Sequence, residues 1–199
     1  MFALCWLNGA LAAPPELSLD LELGQLHNGD ESFDLFSERD GMPSRGVQAG
    51  VRVATPVVVQ VSGHRVSRGL DLSVAEGLSI ATAYFANEWT AGVRVDHTFA
   101  DIFQPYAAVH GLLLQGAMKL DDEPEDDDNP NQLVARAVHP GALLTGGFEI
   151  RGPQQDRKWT AGFLVEAGYG LVARADYGDF GSMKPGGFVL RTGIGLRLF

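Results

Sequence analysis

Only one cysteine, Cys5, occurs in the 199 residues, so no internal disulfide can staple the fold. No internal stretch approaches the ~20 consecutive apolar residues that a membrane helix needs. Basic residues are scarce beside acidic ones: 15 Lys and Arg stand against 25 Asp and Glu, a net charge of −10. That leaves no basic stripe to neutralise phosphates and argues against nucleic acid as a partner. Catalytic signatures are missing too, with no G-x-S-x-G elbow, no P-loop and no H-E-x-x-H. The five histidines, His27, His64, His97, His110 and His139, fall on separate segments without metal-ligand spacing. No catalytic residue, cofactor or metal centre is therefore expected.

What is present is alternation with a period of two. Leu17, Leu19, Leu21 and Leu23 share one face, and Glu16, Ser18, Asp20 and Glu22 the other. A helix would scatter those leucines around its cylinder at about 100° per residue. The same pattern runs through Val47 to Val53, Val57 to Val61, Trp89 to Val95 and Ala142 to Ile150. It continues through Trp159 to Tyr177 and closes with Phe188 to Leu198. Between Pro105 and Leu120 the phase that turns His110 inward puts Ala107, Val109, Gly111 and Leu113 on the apolar face.

These runs predict strands near 16–27, 45–55, 57–66, 79–99, 105–120, 137–151, 158–177 and 187–198. The segment 79–99 is one strand, or two broken at Asn87-Glu88, which would make nine. Short connections (Thr55-Pro56, 100–104, 152–157) alternate with longer ones (28–44, 67–78, 121–136, 178–186). An even strand number with that rhythm predicts an all-β fold, an antiparallel up-and-down transmembrane β-barrel of about eight strands.

Both soluble and membrane barrels alternate, so the faces have to decide. The polar faces carry roughly six arginines against seven carboxylates, and a narrow lumen needs such balance because an unpaired buried charge costs several kcal/mol. Many glycines, among them Gly50, Gly92, Gly147, Gly168, Gly193 and Gly195, lie on these same faces, as a crowded interior requires. Trp89, Trp159 and Tyr177 fall on apolar faces near strand ends, where aromatics anchor a bilayer.

The segment Phe2–Ala13 reads as an export signal, with Ala10-Leu11-Ala12 as the small-residue exit. Residues 1–12 are then the signal peptide and 16–199 the barrel domain. No Lys or Arg precedes the apolar run, which leaves two readings, a start further upstream or an apolar N-terminal tail. Removal of the signal would leave no cysteine, which suits an oxidising envelope.

Gln104-Pro105-Tyr106 opening a strand, Gly146-Gly147-Phe148-Glu149 and the closing Gly193-Ile194-Gly195-Leu196-Arg197-Leu198-Phe199 resemble the outer-membrane β-barrel superfamily. The likeness is to its small eight-stranded members, the OmpA transmembrane domain and OmpX-like proteins. It implies the outer membrane of a Gram-negative cell, contact with outer-membrane lipid, and insertion by the barrel-assembly machinery through the terminal Phe. In such barrels the apolar phase falls on the last Phe. Here Arg197 stands two before Phe199 and Leu198 carries the apolar phase, which weakens the insertion signal or implies a final twist or bulge.

Inside such a barrel, Arg52, Arg94, Asp96, Glu149, Arg151, Glu166, Arg174, Asp176 and Arg191 form the expected lumen charge network, together with Arg197, Asp20 and Glu22. Glu149 and Glu166 are more readily ion-pair partners than an acid/base couple. The run Asp121–Asp128 reads as a solvated outer loop that can attract divalent cations weakly.

The functional expectation is a non-enzymatic outer-membrane barrel with a structural or surface-interaction role and acidic outer loops. Alternatives are a small porin-like channel, a lipid-modifying barrel enzyme relying on His97, and a soluble ligand-binding barrel with its apolar face inside.

Overall fold

In the computed structural model, residues 16–28, 41–75, 78–99, 102–121, 133–152 and 158–199 are described. The segment 1–12, the acidic stretch 30–40 and the acidic run after Asp121 lie outside these residues. Ten strands follow in order: β1 (Leu17–His27), β2 (Gly41–Ala54), β3 (Val57–Ala75), β4 (Leu78–Asp96), β5 (Phe103–Asp121), β6 (Leu133–Arg151), β7 (Trp159–Val172), β8 (Ala175–Asp176), β9 (Ser182–Met183) and β10 (Phe188–Leu198). Eight of them close into an antiparallel barrel, each pairing with its neighbour in sequence, and β10 completes the ring by pairing with β7 and β1. The remaining two, β8 and β9, form a small hairpin of their own.

Toward the short turns the outward face is predominantly apolar. Leu17, Leu19, Leu21 and Leu23 are 48 to 68% exposed, while Asp20 and Glu22 between them are 0 and 2% exposed. The same inversion holds for Val59 and Val61 against Gln60 and Ser62, and for Val93 and Val95 against Arg94 and Asp96. A contiguous apolar surface of this extent is untenable in water, and it excludes the soluble barrel, whose apolar side chains would point inward.

Several sequence expectations change in the structure. The segment 79–99 forms one strand, β4, without a break at Asn87-Glu88. Within the expected loop 67–78, residues 67–75 are instead the end of β3, and Leu78 starts β4. Likewise β2 starts at Gly41 and β6 at Leu133, earlier than their hydropathy suggests. The reason is solvent: once a hairpin leaves the bilayer, its outer face no longer needs apolar residues, while the hydrogen-bond ladder continues. The expected strand 158–177 stops at Val172, because the chain then turns into the β8–β9 hairpin. At the other end, β10 keeps its phase through Leu198 without a bulge, Arg197 inside and Leu198 outside.

Four strands, β3 to β6, are each 19 residues long. At ~3.4 Å per residue and a tilt near 40°, such a strand rises about 50 Å, against an apolar band of ~25 Å. About half of each strand therefore stands beyond the membrane, at the end opposite the short turns.

Closure leaves no frayed edge and keeps every ladder hydrogen bond inside the protein. The folded protein should therefore be heat-modifiable, with an unboiled sample migrating differently from a boiled one in SDS electrophoresis. Identical migration would count against a closed barrel.

Candidate functional site

The lumen is the place where chemistry-bearing side chains converge, and it has two layers. Toward the short turns lies a connected set of ion pairs. Arg52 donates Nε to Glu16 at 2.9 Å and grips both carboxylate oxygens of Asp96 at 2.9 and 3.0 Å. Glu149 collects three guanidinium groups, from Arg94 at 3.2 Å, Arg151 at 2.9 Å and Arg197 at 2.8 Å. Arg151 also reaches Glu16 at 2.9 Å, and Arg197 reaches Asp20 at 2.7 Å. The Arg94 guanidinium stacks 3.9 Å above the Tyr106 ring, a favourable cation–π contact in a desolvated setting.

One step further up, Arg191 pairs with Glu88 and lies 3.5 Å from Glu166. Tyr106 donates its hydroxyl to Glu166 at 3.2 Å. Glycine makes the space for these long groups. A Cβ at Gly195 would collide with Asp20 Oδ1 and stand 2.7 Å from Arg197 Nη1, and one at Gly162 would stand 2.6 Å from Glu149 Oε1.

Of the residues expected in the lumen, Arg52, Arg94, Asp96, Glu149, Arg151, Glu166, Arg191, Arg197, Asp20 and Glu22 lie there. Arg174 and Asp176 do not. Because β7 ends at Val172, both fall in the following connection. Arg174 Nη1 donates to the Ser182 carbonyl at 3.0 Å, and Asp176 accepts the Gly178 N–H at 2.9 Å. That Asx turn carries Gly178 and Gly181 at φ of 64° and 79°, a left-handed backbone that glycine adopts without strain.

Sequence reasoning missed Glu88 and underused Glu16 and His64. Glu88 sits beside Asn87 in what resembled a strand break, yet it obeys the inward phase of Thr90 and Arg94. His64 Nε2 lies 2.6 Å from Glu22 Oε2, and Ser62 Oγ lies 3.4 Å from His64 Nδ1. The order serine, histidine, carboxylate resembles a hydrolase triad. However, all three are at most 7% exposed, and Ser62 Oγ is paired with Thr90 Oγ1 at 2.7 Å. No substrate reaches that hydroxyl. His97, the outward candidate, is exposed at a short turn and meets Phe99 edge-on at 4.6 Å. Among the described residues no group of acidic, histidine or cysteine side chains is arranged to hold a metal.

The second layer, toward the long hairpins, was not anticipated. Leu26, Met42, Val66, Tyr84, Leu114, Met118, Leu143, Tyr177, Met183 and Val189 form one apolar cluster inside the barrel. Tyr177, expected at the membrane interface, is 1% exposed here. The β8–β9 hairpin folds it inward, where its hydroxyl lies 2.6 Å from His139 Nε2. His139 Nδ1 faces the Ala173 carbonyl at 2.9 Å, so that nitrogen carries the proton and Nε2 accepts from the phenol. Burial pushes the Tyr177 phenol up to about 12, which keeps it a neutral donor.

Glu149 is the hub of the lower layer, so Glu149→Gln takes one carboxylate partner from each of three buried arginines at once. Chemical denaturation should show a loss of about 3–5 kcal/mol. Asp176→Asn, outside the lumen, should stay within about 1 kcal/mol. Equal stability of the two variants would show that the ion pairs carry little of the fold's stability.

No family model matches the sequence, and no curated protein matches it. Solved structures do match. Ail, the attachment invasion locus protein of Yersinia pestis, superposes with a TM-score of 0.55 at 13% identity, over 94% of this chain and 100% of that one. A second Ail structure gives 0.50 at 12% identity, over 92% and 97%. The N-terminal β-barrel domain of Pseudomonas aeruginosa OprF gives 0.47 at 13% identity, over 91% and 97%. The likeness to Ail, taken with the closed ring of strands and the apolar exterior, shows the fold: a small eight-stranded antiparallel β-barrel such as outer-membrane proteins have.

Proposed function

We propose that this protein is a non-enzymatic barrel that presents its outer end to partners at the cell surface, rather than a channel or an enzyme. The observation that carries the reading is the filled lumen. Eight strands leave an interior just wide enough for side chains, and here ion pairs occupy one layer and an apolar cluster the other. A water column would have to displace both. The triad-like Ser62, His64 and Glu22 are sealed in the same packing, which argues against catalysis.

With the interior closed, the parts left to act are the hairpins beyond the membrane and the loops they carry. The sequence between Asp121 and Asp128 has seven carboxylates in eight positions, and Asp30 to Asp40 adds five more. Ail was crystallised with the heparin analogue sucrose octasulfate, a polyanion. The acidic loops of this chain disfavour such a ligand and suit a cationic or neutral partner, with weak association of divalent cations at Asp121–Asp128. Outer-membrane lipid and the barrel-assembly machinery complete the partners this reading implies.

Two measurements test it. Planar-bilayer recordings should show little or no steady conductance; a large, stable, ion-selective current would overturn the closed lumen in favour of a channel. On immobilised heparin at physiological salt the protein should pass unretained, while an immobilised polycation should hold it. Retention by heparin would overturn the proposed partner charge.

A further inference from the structure

Beyond this reading, the lipid-facing surface carries a site of its own. Two adjacent rows of outward side chains cross the sheet in register. The lower row runs Phe163, Ile194, Leu21, Val47, Gly63 and Trp89 across β7, β10 and β1 to β4. It is wholly apolar. Two residues up each strand, ~7 Å nearer the outer end, the row reads Thr192, Leu23, Arg45, Arg65, Asn87 and Gln115. Outward apolar residues thus give way to two arginines and two amides within one pleat.

Arg45 and Arg65 are direct cross-strand partners and both are exposed. Like charges placed opposite each other destabilise a sheet. Among the described residues neither arginine has a carboxylate within ion-pair distance; Arg65 lies only over the Phe85 ring, 5.9 Å from its centroid. Elsewhere in this barrel each inward arginine of the network meets at least one acid, so the bare pair stands apart. A phosphate group has the oxygens to bridge two guanidinium forks, and Asn87 beside them adds an amide donor.

Immediately below the pair is a groove of about 830 Å³, walled by Leu23, Val47, Trp89, Phe163 and Ile194. Gly63 forms its floor between Val47 and Trp89. The Trp89 ring leans over it so closely that a Cβ there would stand 2.8 Å from Cζ3. The groove opens on the face that meets acyl chains, directly beneath the two charges.

We propose that Arg45, Arg65 and Asn87 hold the phosphate of an outer-leaflet lipid whose acyl chain lies in the groove alongside the Trp89 ring. The charge and the apolar groove together select a phosphate-bearing lipid over a neutral one and over free phosphate.

The test uses the full-length protein in neutral detergent, titrated with phosphatidylglycerol, diacylglycerol or inorganic phosphate, with bound adducts counted by native mass spectrometry. Phosphatidylglycerol should form a one-to-one adduct, and diacylglycerol should not at the same concentration. R45Q/R65Q should weaken the adduct at least about tenfold, whereas R136Q, an exposed arginine outside the row, should change it by no more than about twofold. Because these side chains lie outside the lumen, unchanged heat-modifiability certifies that each variant is folded. Three results would overturn the site: equal retention by R45Q/R65Q, equal binding of diacylglycerol, or displacement of the lipid by millimolar phosphate. A conductance result bears on the lumen alone and leaves this site standing or falling by itself.

Discussion

Eight strands closing at a steep tilt leave room inside for side chains and almost nothing else, and in that space an ionised group without a partner costs several kcal/mol. Much of the rest of the molecule depends on this constraint. It explains why Glu149 gathers Arg94, Arg151 and Arg197, and why Arg52 bridges Glu16 and Asp96. It also explains the glycines opposite them, since a guanidinium and a carboxylate cannot meet where a Cβ already stands. Because these groups come from β2, β4, β6 and β10 and from Glu16 just ahead of β1, their pairing ties distant parts of the ring together.

The barrel was legible in the sequence because both of its signals are local. A leucine at every second position from Leu17 to Leu23 needs no tertiary knowledge to place on one face. Strand number, phase and the short turns follow from the same counting. Legibility ends where solvent changes. Beyond the bilayer the outer face of β3 to β6 is free to be polar, so Ser67 and Gly69 read as loop residues while their backbone still pairs across the sheet.

The upper half of the lumen was hidden for a related reason. Tyr84, Met118 and Leu143 sit at inward positions that the polar pattern of the lower half assigns to charge. Only the completed ring, with the β8–β9 hairpin folded over it, shows that these side chains meet one another. Tyr177 illustrates the point: extrapolating strand alternation past Val172 put it in the bilayer interface, whereas the turn at Gly178 turns it toward His139. Arg174 and Asp176 were misplaced by the same extrapolation. Glu88 escaped notice because a neighbouring asparagine looked like a break. Its inward phase was readable from Thr90 and Arg94.

The unequal strand lengths give the protein a front and a back. β3 to β6 continue past the apolar belt as a four-stranded wall, whereas β1, β7 and β10 have 11, 14 and 11 residues and stop lower. The mouth of the barrel is consequently oblique, cut away on the side where the chain closes on itself. A partner arriving at the surface meets a standing sheet on one flank and the ends of shorter strands on the other, so the surface it meets is asymmetric about the barrel axis. That asymmetry is built into where hydrogen-bonding stops, independently of what the loops at the crest happen to spell.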